Sequence, residues 1–192
     1  MASYGFRQRI LELREDGAAL TNSTTATSLL PSSGSEAFVG AGQLRPGAVL
    51  CFDFSGRIST VVTTPGTLTL ALRLGSIDVF SSGAMTLNTT AQTNVHWHLR
   101  GELVCRATGT GTSTTLFPKL CCFKSHAVIG SPAPSAGGAG EHMLPYNAAP
   151  AVGSGFDFSA SQLIGLFGTW SVASASNSIQ VHCGSVDIYI GG

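Results

Sequence analysis

Charge is what this sequence has least of. Lysine and arginine supply ten residues and aspartate and glutamate ten, so 10% of the 192 residues are charged, against about 25% in an ordinary soluble domain. The formal net charge is zero, which leaves no basic footprint for nucleic acid and no cationic patch for an anionic membrane. Long apolar runs are missing too: none approaches the roughly 18–20 residues of a membrane-spanning helix. The charged opening, Arg-Gln-Arg-Ile-Leu-Glu-Leu-Arg-Glu-Asp at 7–16, lacks the apolar core of a secretory signal. The chain is therefore expected to be made in a cytosol. Its cysteines, at 51, 105, 121, 122 and 183, are odd in number and form no Cys-x-x-Cys pair. They read as small buried hydrophobes, not as metal ligands or a disulfide framework.

Helical periodicity is also absent, and period two stands in its place. Leu50, Phe52, Phe54, Gly56 and Ile58 share one face, with Cys51, Asp53, Ser55, Arg57 and Ser59 opposite. Val95, Trp97, Leu99, Gly101, Leu103, Cys105 and Ala107 alternate with His96, His98, Arg100, Glu102 and Arg106. Leu68, Leu70, Leu72 and Leu74 face away from Thr67, Thr69, Ala71 and Arg73, and Ile164, Leu166, Gly168, Trp170 and Val172 fall together. The last strand runs Ile179, Val181, Cys183 and then changes phase to Val186, Ile188, Ile190, which predicts a bulge at Gly184 and Ser185. Pro65 and Gly66 suit the centre of a type II turn. Strands of ten or more residues with long connections predict an all-β domain, a two-sheet jelly-roll sandwich over residues 17–192. Trp97 and Trp170 belong to its core, and Asp53 and Asp187 are expected to meet Arg57 or solvent.

Two regions lie outside the pattern. Residues 1–16 hold six of the twenty charges and read as an extended N-terminal arm, with Arg7, Arg9 and Arg14 beside the apolar Ile10, Leu11 and Leu13. Deleting that arm is expected to leave the fold intact. Residues 130–155 form a Gly/Pro/Ala loop too long for an ordinary connection and uncharged apart from Glu141. Both are expected to lie on neighbouring chains, the loop through Pro132, Pro134, His142 and Tyr146. A neutral, charge-poor surface is poorly soluble when bare, so the composition itself points to coverage by other protein.

One constellation looks like chemistry. His96, His98 and Glu102, followed by Gly109, match part of the cupin metal motif, and imidazoles with a carboxylate are good ligands for a divalent cation. The motif is incomplete: position 90 is Thr where a glycine belongs, and neither His142 nor His182 follows a Pro-x-Gly that would deliver a third histidine. Both histidines also share the polar face with Arg100 and Arg106. The pattern reads as a solvent or interface face, with no metal, cofactor or catalytic residue expected. A cupin-like metal site is the alternative from another class. A carbohydrate-binding sandwich is a third, for which the polar faces offer few aromatics.

Several phrases are family-like. They are Thr-Asn-Ser-Thr-Thr-Ala-Thr-Ser-Leu-Leu-Pro at 21–31, the run from Gly56 through Thr-Thr-Pro-Gly-Thr-Leu-Thr-Leu at 63–70, Gly-Ala-Met-Thr-Leu-Asn-Thr-Thr-Ala at 83–91, Glu-Leu-Val-Cys-Arg-Ala-Thr-Gly-Thr-Gly-Thr-Ser at 102–113, and Val-Ile-Gly-Ser-Pro-Ala-Pro at 128–134. Over residues 17–190 the chain resembles a group of tailed-bacteriophage virion structural proteins. The resemblance implies a jelly-roll capsid decoration (cement) protein, made in the host cytoplasm and standing on the capsid surface as a homotrimer. Its partner would be the major capsid protein or another virion protein. A tail or head-fibre component is the nearest alternative, and the implied role is structural, not enzymatic.

Overall fold

The computed structural model describes residues 5–34, 36–60, 64, 66–131, 140–151 and 155–191. Pro65, Pro132 and Pro134 lie outside them. In chain order the strands are β1 (Phe6–Glu12), β2 (Leu20–Thr21), β3 (Thr27–Ser28), β4 (Phe38–Val39) and β5 (Val49–Thr60). Next come β6 (Thr67–Leu74), β7 (Ile77–Ser81), β8 (Met85–Leu87), β9 (Gln92–Ala107) and β10 (Thr115–Ser125). β11 (Ile129–Ser131), β12 (Glu141–Met143), β13 (Gln162–Trp170) and β14 (Ser178–Ile190) complete the set. They form two antiparallel sheets. The first runs β1-β14-β5-β9-β10-β12, with β2 also on β14; the second runs β11-β8-β6-β13-β3, with β4 on β13 and β7 on β6. This is an all-β sandwich.

Alternation explains why these residues make these strands. Along β5 buried and half-buried residues alternate, and Leu50, Phe52, Phe54 and Ile58 point inward. Leu68, Leu70, Leu72 and Leu74 of β6 are fully buried on the facing sheet. The two sheets meet in one apolar cluster, and Phe52 lies 5.2 Å from Phe80 between ring centroids. Each such side chain contributes about 1.5–3 kcal/mol on burial. Trp170 of the second sheet donates its indole N–H to the Leu20 carbonyl at 3.2 Å, tying β13 to β2.

Inside the first sheet, aromatic rings fold over glycines on the neighbouring strand. Phe52 pairs with Gly101 and Phe54 with Gly184, and a Cβ on either glycine would overlap the ring. Gly56 faces Trp97 in the same way, but there the space belongs to the Gln180 carbonyl. Trp97 donates its indole N–H to that carbonyl at 3.2 Å and to the Arg57 carbonyl at 3.1 Å.

The structure corrects three expectations. Residues 6–12 are not a free arm: they pair antiparallel with β14, from Phe6 opposite Ile190 to Glu12 opposite Ser185. Leu11 and Leu13 are buried in the core, and Ile10 packs against it, so removing residues 1–16 would open the core. Second, the extra residue of β14 is His182, because Val181 pairs with Gly56 and Cys183 with Ser55. The phase therefore changes two residues earlier than predicted, and Cys183 is exposed instead of facing inward. Third, the long loop contains structure. β12 pairs with the end of β10 from Cys122 opposite Met143 to Lys124 opposite Glu141, and Leu144 and Tyr146 are buried beyond it. Cys105 and Cys121 are buried as expected, whereas Cys51 and Cys122 are only half-buried, and all five thiols are free.

Two substitutions test this packing. Leu11→Ala should lower the unfolding free energy by about 2–4 kcal/mol in urea denaturation, where a free arm would show no change. Gly56→Ala must displace a backbone carbonyl and should cost about 2–3 kcal/mol or more by the same measurement.

Candidate functional site

The two outer faces of the sandwich differ sharply in charge. Twelve of the twenty charged residues lie on strands of the first sheet; two, Arg73 and Asp78, lie on strands of the second. On the first sheet the outward positions after the bulge include Ser185, Asp187 and Tyr189. Asp187 is nearly buried, at 5% exposure, because two arginines cover it. Arg7 donates to Asp187 Oδ2 at 3.0 Å and Arg9 to Oδ1 at 3.1 Å, while Arg9 also reaches Glu12 at 3.3 Å. Burial opposes ionisation of Asp187, but the hydrogen bonds and charges of Arg7 and Arg9 outweigh it and hold the carboxyl below the usual aspartate range. Asp187 thus anchors β1 to β14, and neither Arg57 nor bulk solvent is its partner.

The remaining sequence-predicted residues separate. His98 donates Nε2–H to Asp53 at 2.9 Å, Glu102 meets Lys119 at 3.4 Å, and His96 is exposed. They lie along the solvent face of β9, and among the described residues no three His, Cys, Asp or Glu side chains converge as a metal site would require. Arg14 is exposed. His142, on β12, packs edge-on against Tyr146 at 6.1 Å, and burial lowers its pKa. Cys121 is pushed up to about 12 by burial. Cys51 is raised by burial first, then by Glu102 and Asp187. Neither thiol is an activated nucleophile. Among the described residues no helix is long and apolar enough to cross a membrane.

The second sheet presents an outer face with few charges. Thr69 opposes Thr169, Ala71 opposes Phe167, and Thr67 opposes Thr86. Among the described residues its one ion pair, Arg73 with Asp78, is internally neutral, and the Arg73 guanidinium lies over the Phe167 ring at 4.0 Å. Beside them Phe38 and Leu163 are cross-strand partners, exposed by 53% and 54%. The alternation of β6 foretold the threonines. Phe38 and Leu163 carry no such signal, because their adjacency depends on a two-residue strand with no periodicity of its own.

The ion pairs of Asp187 have a pH signature. The depressed pKa makes the carboxylate stabilising above the ordinary aspartate value of about 3.9, and that stabilisation is lost as pH falls from there through the lower folded value. Asp187→Asn should therefore be less stable than the parent at pH 7 and show a shallower fall in stability below about pH 4, followed by thermal melts across pH. No protein-family model matches the chain, and no curated protein matches it.

Proposed function

We propose that this chain is a non-enzymatic structural protein of a tailed-phage particle: a capsid decoration protein of jelly-roll type that stands on the shell as a homotrimer. The charge-poor outer face of the second sheet, whose two charges pair with each other, carries the reading. A surface of threonine and phenylalanine is covered by another chain at little cost. It strips no unpaired charge of water, and threonine loses less side-chain freedom than lysine or glutamate. Phe38, set beside Leu163 and exposed with it, is an aromatic side chain of the kind enriched at protein interfaces. The resemblance to virion structural proteins over residues 17–190 supports the same class. A tail or head-fibre component would use the same face, and binding to shell or tail preparations separates the two.

The test is native mass spectrometry together with co-sedimentation on particles assembled without the chain. The parent is expected to form a trimer and to bind the shell. Leu163→Asp places an unpaired charge in the face and should weaken association at least ten-fold without lowering the melting temperature. A monomeric parent, or undiminished binding by both Leu163→Asp and Phe38→Asp, would overturn the reading.

A further inference from the structure

The charged outer face of the first sheet holds a cleft of ≈ 650 Å³, within the range of small-ligand sites. Short side chains, Cys51 and Ser185, are among its lining residues, with Val49. Arg7, Arg9 and Tyr189 line it from β1 and β14; Arg100 and Glu102 line it from β9. Three guanidiniums (Arg7, Arg9, Arg100) face three carboxylates (Asp53, Glu102, Asp187). The cleft is thus rich in charged hydrogen-bonding groups but carries no net charge.

That balance selects a class of ligand. A phosphate or polyacid would meet as many carboxylates as arginines. A neutral polyhydroxyl ring suffers no such conflict, because each hydroxyl can accept from a guanidinium and donate to a carboxylate. Several of the groups already have partners, and the buried Asp187 carboxylate orients two of the arginines before any ligand arrives. Arg7 and Arg9 are fixed on Asp187, Asp53 on His98, and Glu102 on Lys119. Arg100 lies directly across from Asp53 in the sheet register, yet among the described residues it forms no ion pair, since Asp53 and Glu102 are engaged elsewhere. Its donors are open. Tyr189, 38% exposed, adds an aromatic ring; the Arg7 guanidinium lies over one of its faces at 5.1 Å, which leaves the other face and the ring edge to pack against the C–H groups of a sugar.

We infer that the cleft between Arg7, Tyr189 and Arg100 binds a neutral oligosaccharide, a site separate from the charge-poor face on the second sheet. Sugar binding there does not depend on the assembly role proposed above.

Saturation-transfer-difference NMR on the full chain tests it, with maltotriose, cellotriose and chitotriose as probes and a hexaglutamate peptide as the acidic competitor. Transfer to at least one trisaccharide is expected, falling at least five-fold in both Tyr189→Ala and Arg100→Ala. Arg100 is exposed and unpaired, so its variant should melt with the parent, and Leu163→Asp on the other face should retain the signal. Transfer to none of the sugars, transfer unchanged in both cleft variants, or stronger binding of hexaglutamate would each overturn the assignment.

Discussion

The bulge at His182 is the constraint on which much of the first sheet depends. Before it Ile179 and Val181 face the core; after it Val186 and Ile188 do. One extra residue restores the apolar set to the interior, and without it the second half of β14 would present Asp187 and Tyr189 to the core. Because Asp187 faces outward, Arg7 and Arg9 can close over it and fasten β1 to the sheet edge. His182 itself donates Nδ1–H to Asp16 at 2.8 Å. The N-terminal segment is thus held by the Asp187 ion pairs beyond the irregularity and by the Asp16 hydrogen bond at it, with Leu11 and Leu13 buried between them.

The interior beneath the bulge is fitted to the same irregularity. Gly56 leaves room for the Gln180 carbonyl, and Trp97 supplies that carbonyl with a donor in a region without solvent, where an unpaired polar group would be costly. The neighbouring Phe52–Gly101 and Phe54–Gly184 pairs repeat the economy of space: a large ring covers a residue with no side chain. Three aromatic side chains thereby fill one inner face without crowding the facing leucines of β6.

The sandwich keeps its two outer faces chemically apart. Ion pairs across β1, β14, β5, β9 and β10 saturate most charges of the first sheet, which leaves a hydrated, hydrogen-bonding surface around a cleft. The second sheet shows threonine and apolar side chains, with its two charges, Arg73 and Asp78, paired with each other. A charge-poor sequence with these few charges collected on one side has one face for a solvated role and the other free for close packing. That division is the physical basis for treating assembly and small-ligand binding as properties of opposite sides.

The sequence by itself determined the all-β class and the inward faces of β5, β6, β9 and β13. Alternation is a relation between residues two apart, so it is legible wherever a strand is long and buried on one side. The candidate site was legible only in part: the threonines of β6 and the solvent face of His96, His98 and Glu102 followed from phase. Strand β1 was hidden because a sheet-edge strand that buries only its last residues reads as a polar segment. The grip of Arg7 and Arg9 on Asp187 joins residues about 180 positions apart, and the pairing of Phe38 with Leu163 joins two strands that say nothing of each other locally. Such neighbours are set by sheet order and register, which depend on how all the strands bury their apolar faces together. Tertiary structure alone decided them.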